Sequence, residues 1–184
     1  MAIAAVAGLA ACSSETAARA EVFGAAGYRG IAARMAEEAA LATGKLASAP
    51  VSALEGCTVL SWQGGPALGQ AQLAADSALA SAGLAGKREE RDKAFAAAGG
   101  ASFGKNGLHE LGAPPDARTA EGIGVGSPLA DLHKAYDARG LKLGAAGRFE
   151  PPVAEKPGWR FEFTPAADGT VGGVAISDGV VKCR

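Results

Sequence analysis

Short glycine-rich stretches are the first places where this chain could bind a phosphate group. Gly99–Asn106 (GGASFGKN) approaches the pattern of a phosphate-binding loop, in which backbone N–H groups and a lysine hold the phosphates. Asn106 stands where that loop needs a serine or threonine for Mg²⁺, and the stretch follows a predicted helix rather than a strand. Gly122, Gly124 and Gly126 also miss the dinucleotide-binding spacing, because the third glycine comes one residue early. Neither stretch is therefore predicted to bind a nucleotide.

The histidines stand in patterns that do not fit catalysis or metal binding. His109 precedes Glu110 but lacks the second histidine that a zinc-binding helix requires. His133 lies near Asp131 on a predicted helix, and nothing in the spacing supports a catalytic triad with Ser127. We therefore predict no enzymatic activity, no bound metal and no cofactor.

The N-terminal residues 1–11 (MAIAAVAGLAA) are apolar and too short to span a bilayer, which is typical of a signal peptide. Leu9-Ala10-Ala11-Cys12 resembles the lipobox of bacterial lipoproteins. That resemblance implies cleavage before Cys12 and attachment of lipid to its thiol. Residues 12–22 are then the lipid-attachment site and linker. A typical signal peptide has a lysine or arginine near its start, but none precedes Cys12 here. The alternative interpretation of these residues is an apolar helix with a buried cysteine.

Export would place the three cysteines in an oxidising compartment. If Cys12 takes lipid, Cys57 and Cys183 remain as an even pair, and we predict a disulfide between them. Two unpaired buried thiols are the alternative. The predicted location is outside the cytoplasm, with the lipid on Cys12 holding the protein on the cell membrane, or secreted if the lipobox is not used.

The composition argues against several classes of partner. The 184 residues have a net charge of −1, and only 5% of them are aromatic. So little positive charge gives no basis for binding nucleic acid or an anionic membrane surface. We predict no nucleic-acid partner, and a monomer with a single domain over residues 23–184.

The stretch Gly122–Tyr136 combines the strongest helix signals in the chain. Ser127 is a predicted N-cap, Pro128 suits the first helical position, and Gly140 can end the helix with a positive φ. Apolar residues recur at helical spacing and predict one face that covers the C-terminal strands: Leu129, Leu132, Ala135 and Tyr136.

The C-terminal residues contain the clearest strand pattern. Aromatic residues alternate with polar ones and predict a half-buried strand: Trp159, Phe161 and Phe163 against Arg160, Glu162 and Thr164. Asp168-Gly169 and Asp178-Gly179 predict turns that lead into strands at 170–177 and 180–183. The result is an α+β fold of two layers, with short helices on an antiparallel sheet that ends in a three-stranded C-terminal meander.

Weaker patterns complete the chain. Strands are predicted at 28–33, 57–62, 107–111 and 141–143, and a short helix at 35–43. Residues 67–98 are predicted to be partly helical, divided at Gly83 and Gly86, with a solvated run of mixed charges at 87–93. Residues 27–44 and 119–140 form a weak internal repeat, a glycine-isoleucine turn followed by a helix.

Several of these stretches resemble a group of secreted actinobacterial proteins and lipoproteins whose function is largely unassigned. The resemblance is most specific at 117–136 (ARTAEGIGVGS, then Leu and Ala-Tyr136), and it includes Gly27-Tyr28, Cys57 and Cys183. That family has apolar residues and a glycine before Met35, where this chain has Ala32-Ala33-Arg34. More distantly, a glycine turn, a helix and antiparallel strands are similar to the fold of β-lactamase inhibitor proteins and of small outer-membrane assembly lipoproteins.

Both of these distant groups bind proteins, and the resemblance implies the same for this chain. The predicted function is an exported, membrane-anchored lipoprotein that acts as an extracytoplasmic binding or scaffolding module for an envelope or extracellular protein. The alternative is a secreted, inhibitor-like protein that docks on an extracellular enzyme.

Overall fold

A computed structural model describes residues 22–54, 56–65, 81–144 and 146–179. Its centre is a six-stranded antiparallel sheet in the order β1-β2-β3-β4-β6-β5. The strands are β1 (Ser52–Leu54), β2 (Cys57–Leu60), β3 (Gly100–Gly104), β4 (Gly107–Gly112), β5 (Arg160–Pro165) and β6 (Val171–Ser177). The helices in these ranges are α1 (Glu37–Ala42), α2 (Ser81–Ala98) and α3 (Leu129–Tyr136), and a 3₁₀ turn follows at Asp137–Arg139. The predicted α+β fold is therefore confirmed.

One face of the sheet carries the main hydrophobic core. Alternate residues of the strands point to this face because the side chains of a strand alternate between its two sides. Tyr136 on α3 packs against Phe161 and Phe163 of β5, with ring centroids 5.7 and 5.0 Å apart. Residues of the N-terminal segment complete this layer, among them Phe23, Tyr28 and Ile31. The prediction that α3 covers the C-terminal strands is confirmed.

The opposite face is covered by the C-terminal part of α2. A methyl group on Gly100 would collide with the ring of Phe95, and one on Gly173 would meet the backbone of Ala96. The absence of side chains at these two positions lets the helix lie close to the sheet. Phe95 packs with Val51 and Val59 in a second, smaller apolar cluster.

The ends of α3 differ in part from the prediction. Its N-cap is Pro128, without a side-chain cap, and the Ser127 hydroxyl instead accepts a hydrogen bond from the Gly124 N–H at 3.0 Å. Ser127 therefore closes the turn before the helix rather than capping it. Gly140 has φ 84° and ends the 3₁₀ turn that follows α3, as expected for a glycine at a helix terminus.

Other elements correct the predictions along the chain. Helix α2 continues through Gly83 and Gly86, so the predicted division there is wrong. The strand predicted at 28–33 is a tight turn, and the residues at 141–143 contribute one isolated bridge, from Leu143 to Phe149. Strand β3 was not predicted. The C-terminal hairpin of β5 and β6 is confirmed, and its other side is completed by β4. The strand predicted at 180–183 lies outside the described residues.

Within the described ranges, no helix combines the length and the apolar character needed to cross a membrane.

Candidate functional site

A row of polar side chains crosses the sheet on the face covered by α2. Ser102, Glu110, Ser177 and Arg160 lie opposite one another on β3, β4, β6 and β5. Directly opposed residues of antiparallel strands share a face, and Glu162 shares it because it stands two residues after Arg160. The sequence pattern placed Glu162 on an exposed face, but only 2% of its surface is accessible.

Glu162 is held by a set of partners that we call the Glu162 cluster, namely Ser177, Arg148 and Arg160. The Ser177 hydroxyl donates to Oε1 and Arg148 Nη1 donates to Oε2, both at 2.5 Å. Arg160 Nε lies 3.7 Å from Oε1 and 3.3 Å from Glu150, which is more exposed. A buried carboxylate is tolerated when cations and hydrogen bonds compensate its charge. The carboxylate is buried and all its partners in the cluster belong to this chain, so we interpret the cluster as part of the structure rather than as a binding site.

A second polar cluster ties the glycine-rich turn to α3. Tyr136 Oη donates to Glu121 Oε2 at 2.5 Å, and Arg139 forms an ion pair with the same carboxylate. Burial raises the pKa of Tyr136 well above its usual value. Burial by itself would raise the pKa of Glu121. Hydrogen bonds from Tyr136, from its own backbone and from Arg139 outweigh the effect of burial, so the pKa of Glu121 is lowered from its usual value of 4.5.

We expect Tyr136→Phe to lower the free energy of unfolding by about 1.5 kcal/mol at pH 7, because it removes a hydrogen bond to a charged group. The lowered pKa of Glu121 means that this carboxylate stabilises the fold above pH 4.5, and that the contribution is lost as the pH falls through the folded-state pKa. The difference between wild type and variant, measured by urea unfolding, should therefore shrink as the pH is lowered from 7 through the folded-state pKa of Glu121. A difference that stays constant while Glu121 is titrated would contradict the role of this carboxylate.

Two tight turns with arginines in a left-handed backbone conformation form the most unusual surface feature of the described residues. We call Tyr28–Ile31 and Ala32–Met35 the arginine turns. In the first, Tyr28 and Ile31 exchange both backbone hydrogen bonds at 2.9 Å around Arg29 and Gly30, with φ of 50° and 82°. Such two-residue turns favour asparagine, aspartate or glycine at the first position, so an arginine there is uncommon.

The second arginine turn places Arg34 in the same unfavourable conformation. The Met35 N–H donates to the Ala32 carbonyl at 3.1 Å, and Arg34, in the third position, has φ 66°. Glycine or asparagine is usual at this position. The turn is fixed on β4, because Arg34 N–H donates to the Leu108 carbonyl at 2.9 Å and Leu108 N–H donates to Met35 at 2.8 Å.

Both arginines rest on tryptophan side chains. The Arg29 guanidinium lies 5.0 Å from the ring centroid of Tyr28 and 5.9 Å from that of Trp62. Arg34 lies 5.9 Å from the centroid of Trp159. Cations stacked on aromatic faces lose part of their side-chain freedom, which makes them well-ordered groups for recognition.

Each arginine also forms one ion pair, and the two pairs differ in exposure. Arg29 binds Asp116 at 2.8 Å, and both side chains are exposed. Arg34 binds Asp178 at 3.0 Å, where the carboxylate is only 4% exposed while the arginine is 49% exposed. One edge of the Arg34 guanidinium therefore neutralises the buried Asp178 carboxylate, and the other N–H donors of the guanidinium face solvent.

The structure separates the residues singled out from the sequence. Gly99–Asn106 contains the whole of β3 and the turn into β4, so its resemblance to a phosphate-binding loop is a matter of composition only. His109 is buried on β4, whereas His133 is exposed and contacts Asp137 at 2.9 Å. Among the described residues, no group of three histidine, cysteine or acidic side chains is placed to hold a metal ion.

The predicted lipidation and disulfide sites fall largely outside the described residues. Cys12 and Cys183 lie there, and Cys57 is on β2, opposite Gly104. The disulfide between Cys57 and Cys183 stays a prediction, because Cys183 lies outside the described residues.

The arginine turns were missed as a site. A non-glycine residue at a position that favours glycine is retained only when the surrounding structure compensates its backbone strain, and such positions concentrate at functional sites.

The chain matches no protein-family model, and neither curated proteins nor solved structures gave a similar protein.

Proposed function

We propose that this chain is an exported lipoprotein, attached to the outer side of the cell membrane through Cys12, whose domain binds another protein. The lipobox-like Leu9–Cys12 motif supports the anchor. The arginine turns support the binding role, because exposed arginine side chains held on aromatic rings are typical of the residues that dominate protein–protein interfaces.

Arg34 is the observation that carries the binding role. Its backbone conformation costs about 1 kcal/mol relative to a glycine at the same position. Its side chain is half exposed, yet it is fixed by Trp159 and Asp178. Arg34 thus keeps an ordered cation on the surface although its backbone conformation is strained. Recognition of a partner explains this arrangement better than folding alone.

The anchor predicts incorporation of lipid at a single residue. In a bacterial host that processes lipoproteins, the wild-type chain should incorporate radiolabelled palmitate and fractionate with membranes. Cys12→Ala should abolish the label and release the protein, because lipid is transferred to the thiol. Ser13→Ala is the matched control and should retain both properties.

Two other outcomes would separate the candidate functions. A wild-type chain without label that is recovered from the medium would overturn the anchor and favour the secreted, inhibitor-like alternative. Label that persists in Cys12→Ala would place the lipid on another residue.

A further inference from the structure

Two cations share the indole ring of Trp159. Arg34 Cζ lies 5.9 Å and Lys156 Nζ 5.7 Å from its centroid, so the two charges are at most about 12 Å apart. We call Arg34 and Lys156 the Trp159 cation pair. The indole itself is only 4% exposed. The surface that a partner meets here consists of the two cations rather than of the aromatic ring.

The charges around this ring do not cancel. Asp178 compensates Arg34 at 3.0 Å. Within the described part of the chain, Lys156 makes no ion pair, and its ammonium group is placed only by the ring. Arg34, Lys156 and Asp178 together carry one net positive charge, on a protein whose net charge is −1. Like charges held together repel each other, and a bound anionic group would relieve that repulsion.

We propose that the Trp159 cation pair binds an acidic segment of a protein partner, with carboxylates spaced to reach both cations. This inference rests on the proposed binding function and names the chemistry of the partner. The guanidinium of Arg34 has five donors in a planar fork that fits a carboxylate, and Asp178 uses only one edge. Lys156 acts as a second point charge for a neighbouring acidic side chain.

A protein segment fits this site better than an anionic membrane surface. Binding at a membrane interface uses exposed aromatic rings that enter the headgroup layer, together with clusters of many basic residues. Here the ring is buried beneath two cations. Two ordered cations within about 12 Å suit a short acidic sequence in an extended conformation, in which alternate side chains are about 7 Å apart.

The test measures binding of a fluorescein-labelled peptide of alternating glutamate and glycine to the full-length chain in detergent, by fluorescence anisotropy. A peptide of alternating lysine and glycine is the charge-reversed probe. We expect the acidic peptide to bind and the basic one not to bind. The affinity should fall as salt is added, because the charges involved are partly exposed.

The arginine turns supply a matched pair of variants. Arg34→Gly should weaken binding of the acidic peptide about tenfold, and Lys156→Gln should have a similar effect. Arg34→Gly is expected to fold, because glycine adopts φ 66° without strain. Arg29→Gly removes the arginine of the other arginine turn, which also has a positive φ, but leaves Trp159 untouched, so it should bind as the wild type does.

Several results would overturn this inference. The first is equal affinity for both peptides. The second is an unchanged affinity in a folded Arg34→Gly variant. The third is binding to vesicles of anionic lipid without binding to the acidic peptide. Failure here is distinguishable from failure of the proposed anchor. Palmitate incorporation without binding of the acidic peptide refutes only the cation pair, and binding without palmitate refutes only the anchor.

Discussion

Glu162→Gln is expected to lower the free energy of unfolding by about 3 kcal/mol, because it breaks a buried ion pair while its partners stay in place. The carboxylate accepts from Ser177 and Arg148 and lies near Arg160, and it is 2% exposed. An amide of the same shape keeps the packing but leaves both guanidinium groups without their shared negative charge. Urea unfolding at neutral pH measures the change.

Glu150→Gln is the matched control for this prediction. Glu150 contacts the same Arg160 at 3.3 Å, but its side chain is 23% exposed. Solvent screens an exposed pair, and its loss should lower the free energy of unfolding by less than about 1 kcal/mol. Equal effects of the two variants would show that burial of the carboxylate does not strengthen the Glu162 cluster.

Gly27→Ala should be a second strongly destabilising change, with a loss of about 3 kcal/mol in the free energy of unfolding. Gly27 has φ 100°, a conformation that residues with a Cβ rarely adopt. A methyl group at this position would lie closer than 3.0 Å to backbone atoms of Ile31 and Ala32. These atoms belong to the arginine turns, so the segment that carries Arg29 and Arg34 would have to move.

Gly30→Ala separates the two causes of that loss. Gly30 also has a positive φ, of 82°, but a Cβ there would meet nothing within 4 Å. Only the backbone strain remains, which amounts to about 1 kcal/mol. If thermal unfolding shows the same loss for both variants, the close backbone approach at Gly27 is not what makes glycine necessary.

The local part of the fold was predictable. Residues close together in the sequence predicted three features: the alternation of aromatic and polar residues in β5, the Asp-Gly turn after it and the apolar face of α3. The structure confirms the hairpin of β5 and β6 and the contact between Tyr136 and Phe163. Strand β3 was missed because Gly100–Gly104 contains glycine, alanine and serine, which have no strong preference for strands.

The sequence by itself determined the α+β class, the C-terminal hairpin and the helix that covers it, because periodicity and turn residues act within a few positions of the chain. The tertiary structure decided the burial of Glu162 and the placement of Arg34. Glu162 is buried on the sheet face opposite the main core, where Ser177 of β6 and Arg148, 14 residues away in sequence, contact its carboxylate. Arg34 became a candidate site because Trp159 and Asp178, more than a hundred residues away in sequence, meet it in space. A pattern of neighbouring residues contains no information on such encounters, since they depend on how the whole sheet is assembled.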